Sequence, residues 1–176
     1  MDESLLKELS RLRRWVITDL DRMLALNPGP NYAAALLIAI ASEGLSRLLG
    51  REKHSIFVDY LVPSSAVSTA MARDVWDALR NGLAHIYETK RVKTNSLAVE
   101  INVSWERRAH LTISHRPTEI YVNVRTMRNL LLKAFRAEEA RLRGRDRVPP
   151  RKWLEKRETD KSKDPTGWKN LFGGRK

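Results

Sequence analysis

The chain has 176 residues, 42% of them hydrophobic and 31% charged, which is enough for one domain with a real core and argues against wholesale disorder. It contains no cysteine, so disulfides, thiolate catalysis and cysteine-bound zinc are excluded. The net charge of +12 favours polyanionic partners, but 13 Lys and Arg against 5 Asp and Glu fall between Arg141 and Lys176, so most of the excess lies in the last fifth of the chain.

In chain order, Leu5, Leu6, Leu9, Leu12, Trp15, Val16, Leu20, Met23 and Leu24 recur at helical spacing and predict an amphipathic helix over Glu3 to Leu26, ended by Asn27-Pro28-Gly29-Pro30. A second helix is expected from Asn31, read as its N-cap, to Leu49, closed by Gly50; it is apolar almost all round and belongs at the centre of a bundle. Its longest apolar run, Tyr32 to Ala41, is far shorter than the roughly 20 residues that span a bilayer. The start, Met1-Asp2-Glu3, lacks the basic region of a secretion signal, so neither a membrane partner nor an export signal is expected and a cytoplasmic location fits.

After Arg51-Glu52-Lys53 a shorter apolar stretch runs from Ser55 to Val62 and stops at Pro63. Ser64 or Ser65 is expected to cap the next helix, which continues to about Tyr87 with Val67, Met71, Val75, Ala78 and Leu79 facing the core. From Leu97 the period changes to two. Leu97, Val99, Ile101 and Val103, then Ala109, Leu111 and Ile113, then Ile120, Val122 and Val124 alternate with other residues and predict three short strands in a small antiparallel meander, an insert over about 96–124. Helical spacing resumes with Met127, Leu130, Leu131, Ala134 and Phe135 and fades near Gly144. The expected organisation is a mainly α domain over 1–144 and a basic, extended tail over 145–176. In that tail Arg151, Lys152, Trp153, Lys156, Arg157 and Trp168 could contact RNA through phosphates and stacked bases, or simply be solvated.

The segment Arg80-Asn81-Gly82-Leu83-Ala84-His85-Ile86-Tyr87 carries the chemistry. At about 100° per residue Arg80 lies close to Tyr87 around a helix, and Asn81 close to His85. Arginine offers a permanent cationic fork for phosphate, histidine exchanges protons near neutral pH, and asparagine and tyrosine position hydrogen bonds. The plain alternative is that Asn81 and His85 merely satisfy each other across one turn and that Arg80 pairs with an acid such as Asp77. Glu43, the only acid between Tyr32 and Ser46, needs a partner if it is buried; Arg80 is the functional candidate and Arg47, one turn on, the ordinary one. His110 and His115 fall on opposite strand faces, and with no HExxH, DxD or EF-hand spacing no metal and no cofactor is expected.

Arg80-Asn81, three residues, His85, one residue, Tyr87 resembles the signature of the HEPN superfamily, the higher eukaryote and prokaryote nucleotide-binding domains. The resemblance covers roughly Glu3 to Tyr87 and the helix from Arg125; the strand insert and basic tail depart from the compact members. It implies a HEPN-like antiparallel helical bundle and a homodimer whose two motif helices build one composite site. It also implies metal-independent RNA cleavage by a ribose 2′-hydroxyl, with His85 as general base or acid, Arg80 stabilising the phosphorane and Asn81 holding the geometry. Tyr87 is similar to the tyrosine that a nucleotidyltransferase antitoxin modifies in one toxin branch. The expected function is therefore an endoribonuclease, a toxin or phage-defence effector silenced by a partner. The alternatives are a non-catalytic RNA-binding or protein-interaction module of the same fold, and a helical DNA-binding protein, against which stands the expectation that the body has no recognition helix with a basic exposed face.

Overall fold

The computed structural model describes residues 3–26, 30–62, 67–82, 92–94, 97–104, 112–113 and 119–144. All of them fall within the unit Met1–Asp146, and Arg147–Lys176 lies outside the described residues. Among the described residues four α-helices dominate: α1 Glu3–Ala25, α2 Asn31–Leu48, α3 Thr69–Asp77 and α4 Val124–Leu142. Two π-helical segments, Phe57–Leu61 and Ala78–Gly82, join them, the second continuing directly from α3. No described helix is long and apolar enough to cross a membrane.

The core follows the periodicity. Leu9 and Leu20 of α1, Ile38 and Leu45 of α2, Phe57 and Leu61 of the first π segment and Phe135 of α4 are fully buried. Each such side chain contributes about 1.5–3 kcal/mol of apolar burial. α2 packs against α1, α4 and both π segments, the central place its apolar composition demands. Ser42 and Ser46, buried on α2, satisfy their hydroxyls on the carbonyls of Ala39 and Ser42, and Ser46 Oγ also accepts from the Ile56 amide at 3.0 Å, tying the following segment to the helix.

Helix ends differ from expectation in two places. Pro30, not Asn31, is the N-cap of α2, and no side chain caps it; Asn31 is the first helical residue. α3 starts at Thr69 with Ser68 as cap, its Oγ accepting from the Met71 amide at 3.2 Å, so neither Ser64 nor Ser65 plays that part. Three serines lie within five residues there, and local pattern cannot choose among them. The end of α2 is as expected: Gly50, at φ +67°, lets the Gly50 and Arg51 amides reach back to the Arg47 and Ser46 carbonyls at 3.0 and 2.9 Å, closing the last turn.

The strands β1 Val92–Thr94, β2 Leu97–Ser104, β3 Thr112–Ile113 and β4 Glu119–Asn123 form one sheet in the order β1-β2-β4-β3. The expected antiparallel meander is corrected here. β4 lies between β2 and β3, antiparallel to β3 but parallel to β2, with Ile101 opposite Ile120 and Val103 opposite Val122. Alternation of residues identifies a strand and its buried face but is blind to direction, because a parallel and an antiparallel neighbour bury the same alternate positions. The 14 residues between Ser104 and Glu119 give the chain room to place β3 at the far edge before returning as β4. β1, pairing antiparallel with β2, was not anticipated, and Val124 belongs to α4 rather than to a strand. Asn123 ends β4 and caps α4 with its side chain, accepting from the Thr126 amide at 3.0 Å.

Candidate functional site

α3 and the π segment after it dock on α2 through two contacts one helical turn apart. Trp76, 3% exposed, donates its indole N–H to the Ala39 carbonyl at 3.3 Å, and four residues on in each helix Arg80 Nε donates to Glu43 Oε2 at 3.1 Å. The first contact is an apolar anchor with a polar tip and sets the spacing; the second brings a cation to the lone acid of α2.

Glu43 holds two arginines at once. Its other oxygen, Oε1, lies 2.7 Å from an Arg47 terminal nitrogen, while Arg80 takes Oε2. The two candidate partners named for Glu43 are therefore not alternatives. Burial pushes the Glu43 carboxyl up, but hydrogen bonds and charge from Arg80 and Arg47 outweigh it and leave the pKa below its ordinary value of 4.5. The side chain of Glu43 is 10% exposed, that of Arg80 33% and that of Arg47 69%, so the pair sits at the rim of the core with Arg80 reaching the surface. Only Nε of Arg80 is spent on Oε2, and its two terminal nitrogens take no part in that bond.

Asn81 donates to Asp77 Oδ1 at 2.6 Å across one turn. The acid that Arg80 takes is therefore Glu43, while Asp77 takes Asn81 and turns the Asn81 amide towards α3; the pairing of Asn81 with His85 lies outside the described residues. Asp74, one turn back, has its carboxyl raised by burial and then by the Asp77 charge. The hydrogen bonds over Ala78–Gly82 are π-helical, a form that takes an extra residue into the turn, and the groupings of Arg80 with Tyr87 and of Asn81 with His85 fall outside the described residues. His85 and Tyr87 lie outside the described residues, as do Arg151, Lys152, Trp153, Lys156, Arg157 and Trp168 of the tail. Of the candidate site, then, Arg80, Asn81 and Glu43 are placed, and Arg80 and Glu43 are brought together. Among the described residues no three His, Asp or Glu side chains converge as a metal site requires.

A second polar cluster went unread in the sequence. Glu138 of α4, with no exposed surface, accepts from Tyr60 at 2.7 Å, from Arg51 at 2.9 and 3.0 Å and from Arg141 at 2.6 Å. Burial and the Glu138 carboxylate push the Tyr60 hydroxyl well above the ordinary tyrosine range, so it remains a donor at any working pH. Next to it Glu139 accepts from Arg13 at 2.8 Å and Ser10 at 3.2 Å of α1. The signal was present: Glu138 continues the core spacing Leu131, Ala134, Phe135 along α4, which places an acid on the buried face. These contacts tie α4 to α1, to the end of α2 and to the first π segment.

The chain matches no family model, no curated protein and no solved structure.

Proposed function

We propose that this protein is a HEPN-type, metal-independent endoribonuclease that works as a homodimer, each chain supplying half of a composite site. The observation that supports it best is the Glu43–Arg80 pair: the first residue of the motif is set at the surface by a carboxylate built into the central helix, at the end of a helix anchored by Trp76. A phosphate-binding arginine has to be held so that its fork need not be ordered when substrate arrives, and a buried carboxylate does that.

In the reaction His85 of one copy takes the proton of a ribose 2′-hydroxyl, whose oxygen forms a bond to the adjacent phosphorus. Arg80 donates to the non-bridging oxygens as the phosphorane gains charge. The P–O5′ bond breaks, the leaving oxygen takes a proton from the second copy's histidine, and the products are a 2′,3′-cyclic phosphate and a 5′-hydroxyl. Asn81, braced on Asp77, keeps the turn carrying Arg80 in register. Tyr87 borders the site or is the target of a modifying nucleotidyltransferase partner, and a toxin or phage-defence role belongs to this reading.

The test is incubation of purified protein with structured and single-stranded RNA in EDTA, beside Arg80→Ala and His85→Ala. Cleavage by the wild type alone is expected. Cleavage that persists in both variants excludes the mechanism, and an inert wild type that still binds RNA favours the non-catalytic alternative.

A further inference from the structure

The outward face of α1 carries no role in the site above. At about 100° per residue, Arg14, Lys7, Thr18, Arg11, Arg22 and Trp15 fall in one arc of about 100°, and no Asp or Glu lies within it. Trp15 stands out at 58% exposed. The arc from Lys7 to Arg22 is about 22 Å long at 1.5 Å per residue. The body therefore carries a helix with a basic exposed face.

Its acids stand on the borders of the arc and are engaged there. Glu8 pairs with Arg11 at 3.0 Å and Asp19 with Arg22 at 3.5 Å, both exposed pairs of the kind that contribute little and exchange readily. On the other border Asp21 is held by Arg128 of α4 through two contacts of 2.8 Å. Lys7 and Arg14 form no ion pair among the described residues. The Arg11 guanidinium lies over the Trp15 ring, 4.9 Å from its centre, and more than half of the residue remains exposed. A large exposed aromatic costs apolar surface in water, and placed in a row of cations it matches a ligand that offers negative charge and flat π-faces together.

We propose that this face of α1 binds single-stranded RNA, with Lys7, Arg11, Arg14 and Arg22 following the phosphates and one base stacking on Trp15. The choice of RNA over other single-stranded polyanions rests on the function proposed above; the surface itself does not depend on catalysis. Double-stranded nucleic acid, with its bases closed away, has no use for an exposed Trp15 outside a groove. An anionic membrane fits the charge, but the arc holds no second large apolar side chain to insert.

The experiment measures binding of a fluorescein-labelled oligouridylate of roughly 15 nucleotides, a length matched to such sites. The full chain is used, in the His85→Ala background so that the RNA stays intact, across a salt series. Replacing Lys7, Arg11, Arg14 and Arg22 together by Gln should weaken binding and make the slope of log affinity against log salt shallower by about 2–3, roughly 0.7 for each phosphate no longer neutralised. Trp15→Ala should weaken binding about tenfold or more without changing the slope. Arg11→Lys with Arg14→Lys should keep the slope, which shows that charge rather than folding is read. Wild-type affinity in either the Gln or the Trp15→Ala variant overturns the proposal, as does a loss confined to vesicles rich in phosphatidylserine. The two proposals fail separately: if the wild type cleaves RNA while these variants bind it as their His85→Ala parent does, the α1 surface alone is refuted, and if these variants lose binding while the wild type never cleaves, the ribonuclease alone is refuted.

Discussion

Glu43 decides more at the residue scale than any other side chain described. A lone acid in a central helix is expensive unless it is paired, and here two arginines more than offset the burial that opposes its charge. Because its folded pKa lies below the ordinary 4.5, the carboxylate contributes stability that is fully present above that value and is lost as pH falls through the folded pKa. Glu43→Gln should therefore be less stable than the wild type at pH 7, by about 1–3 kcal/mol, and the gap should shrink as pH falls from 4.5 through the lowered folded pKa. Urea unfolding of both proteins across that range checks it; a gap independent of pH contradicts the pairing. The partner of Glu43 was legible in the sequence because a single acid in an apolar run demands one. That it would take both Arg47 and Arg80 was not, since nothing in the chain's local pattern brings Arg80 within reach of α2; Trp76 does, through a tertiary contact.

Among the elements, the helices were readable because a 3.6-residue period runs through each of them, and their boundaries were not where caps compete. Ser68 closes the start of α3, so Ser68→Ala should cost about 1 kcal/mol of stability, while a neighbouring Ser64→Ala or Ser65→Ala should cost only a few tenths, as thermal unfolding would show. Equal losses in all three would place the cap elsewhere. The π-helical turn at Ala78–Gly82 was invisible, for its extra residue leaves the apolar positions Val75, Ala78 and Leu79 reading as an ordinary helix. Strand direction was equally hidden. Ile101, Val103, Ile120 and Val122 are buried as alternation requires, yet β4 sits between β2 and β3, which only the chain's long-range path determines.

On the scale of the whole molecule, charged groups rather than apolar ones mark the joints. Glu138 collects Tyr60, Arg51 and Arg141 where α4, the first π segment and the end of α2 meet, and Glu139 reaches α1 through Arg13. Removing the acid leaves two guanidinium groups facing each other without a counter-charge, so Glu138→Ala should destabilise by about 3–5 kcal/mol, measured by urea unfolding at pH 7. A loss below about 1 kcal/mol would mean the cluster is merely tolerated. With these joints rigid, α2 serves as the post on which Arg80 is mounted.

The mounting is the centre of the proposed function, and single-turnover cleavage of an end-labelled RNA in EDTA tests it most directly. Arg80→Ala should slow the chemical step by about 100-fold or more. Glu43→Gln, provided it folds and assembles as the wild type does, should slow the same step by roughly tenfold, because the guanidinium is present but no longer held. Cleavage at the wild-type rate by both variants, with the same cyclic-phosphate ends, would show that the Glu43–Arg80 pair has no part in catalysis.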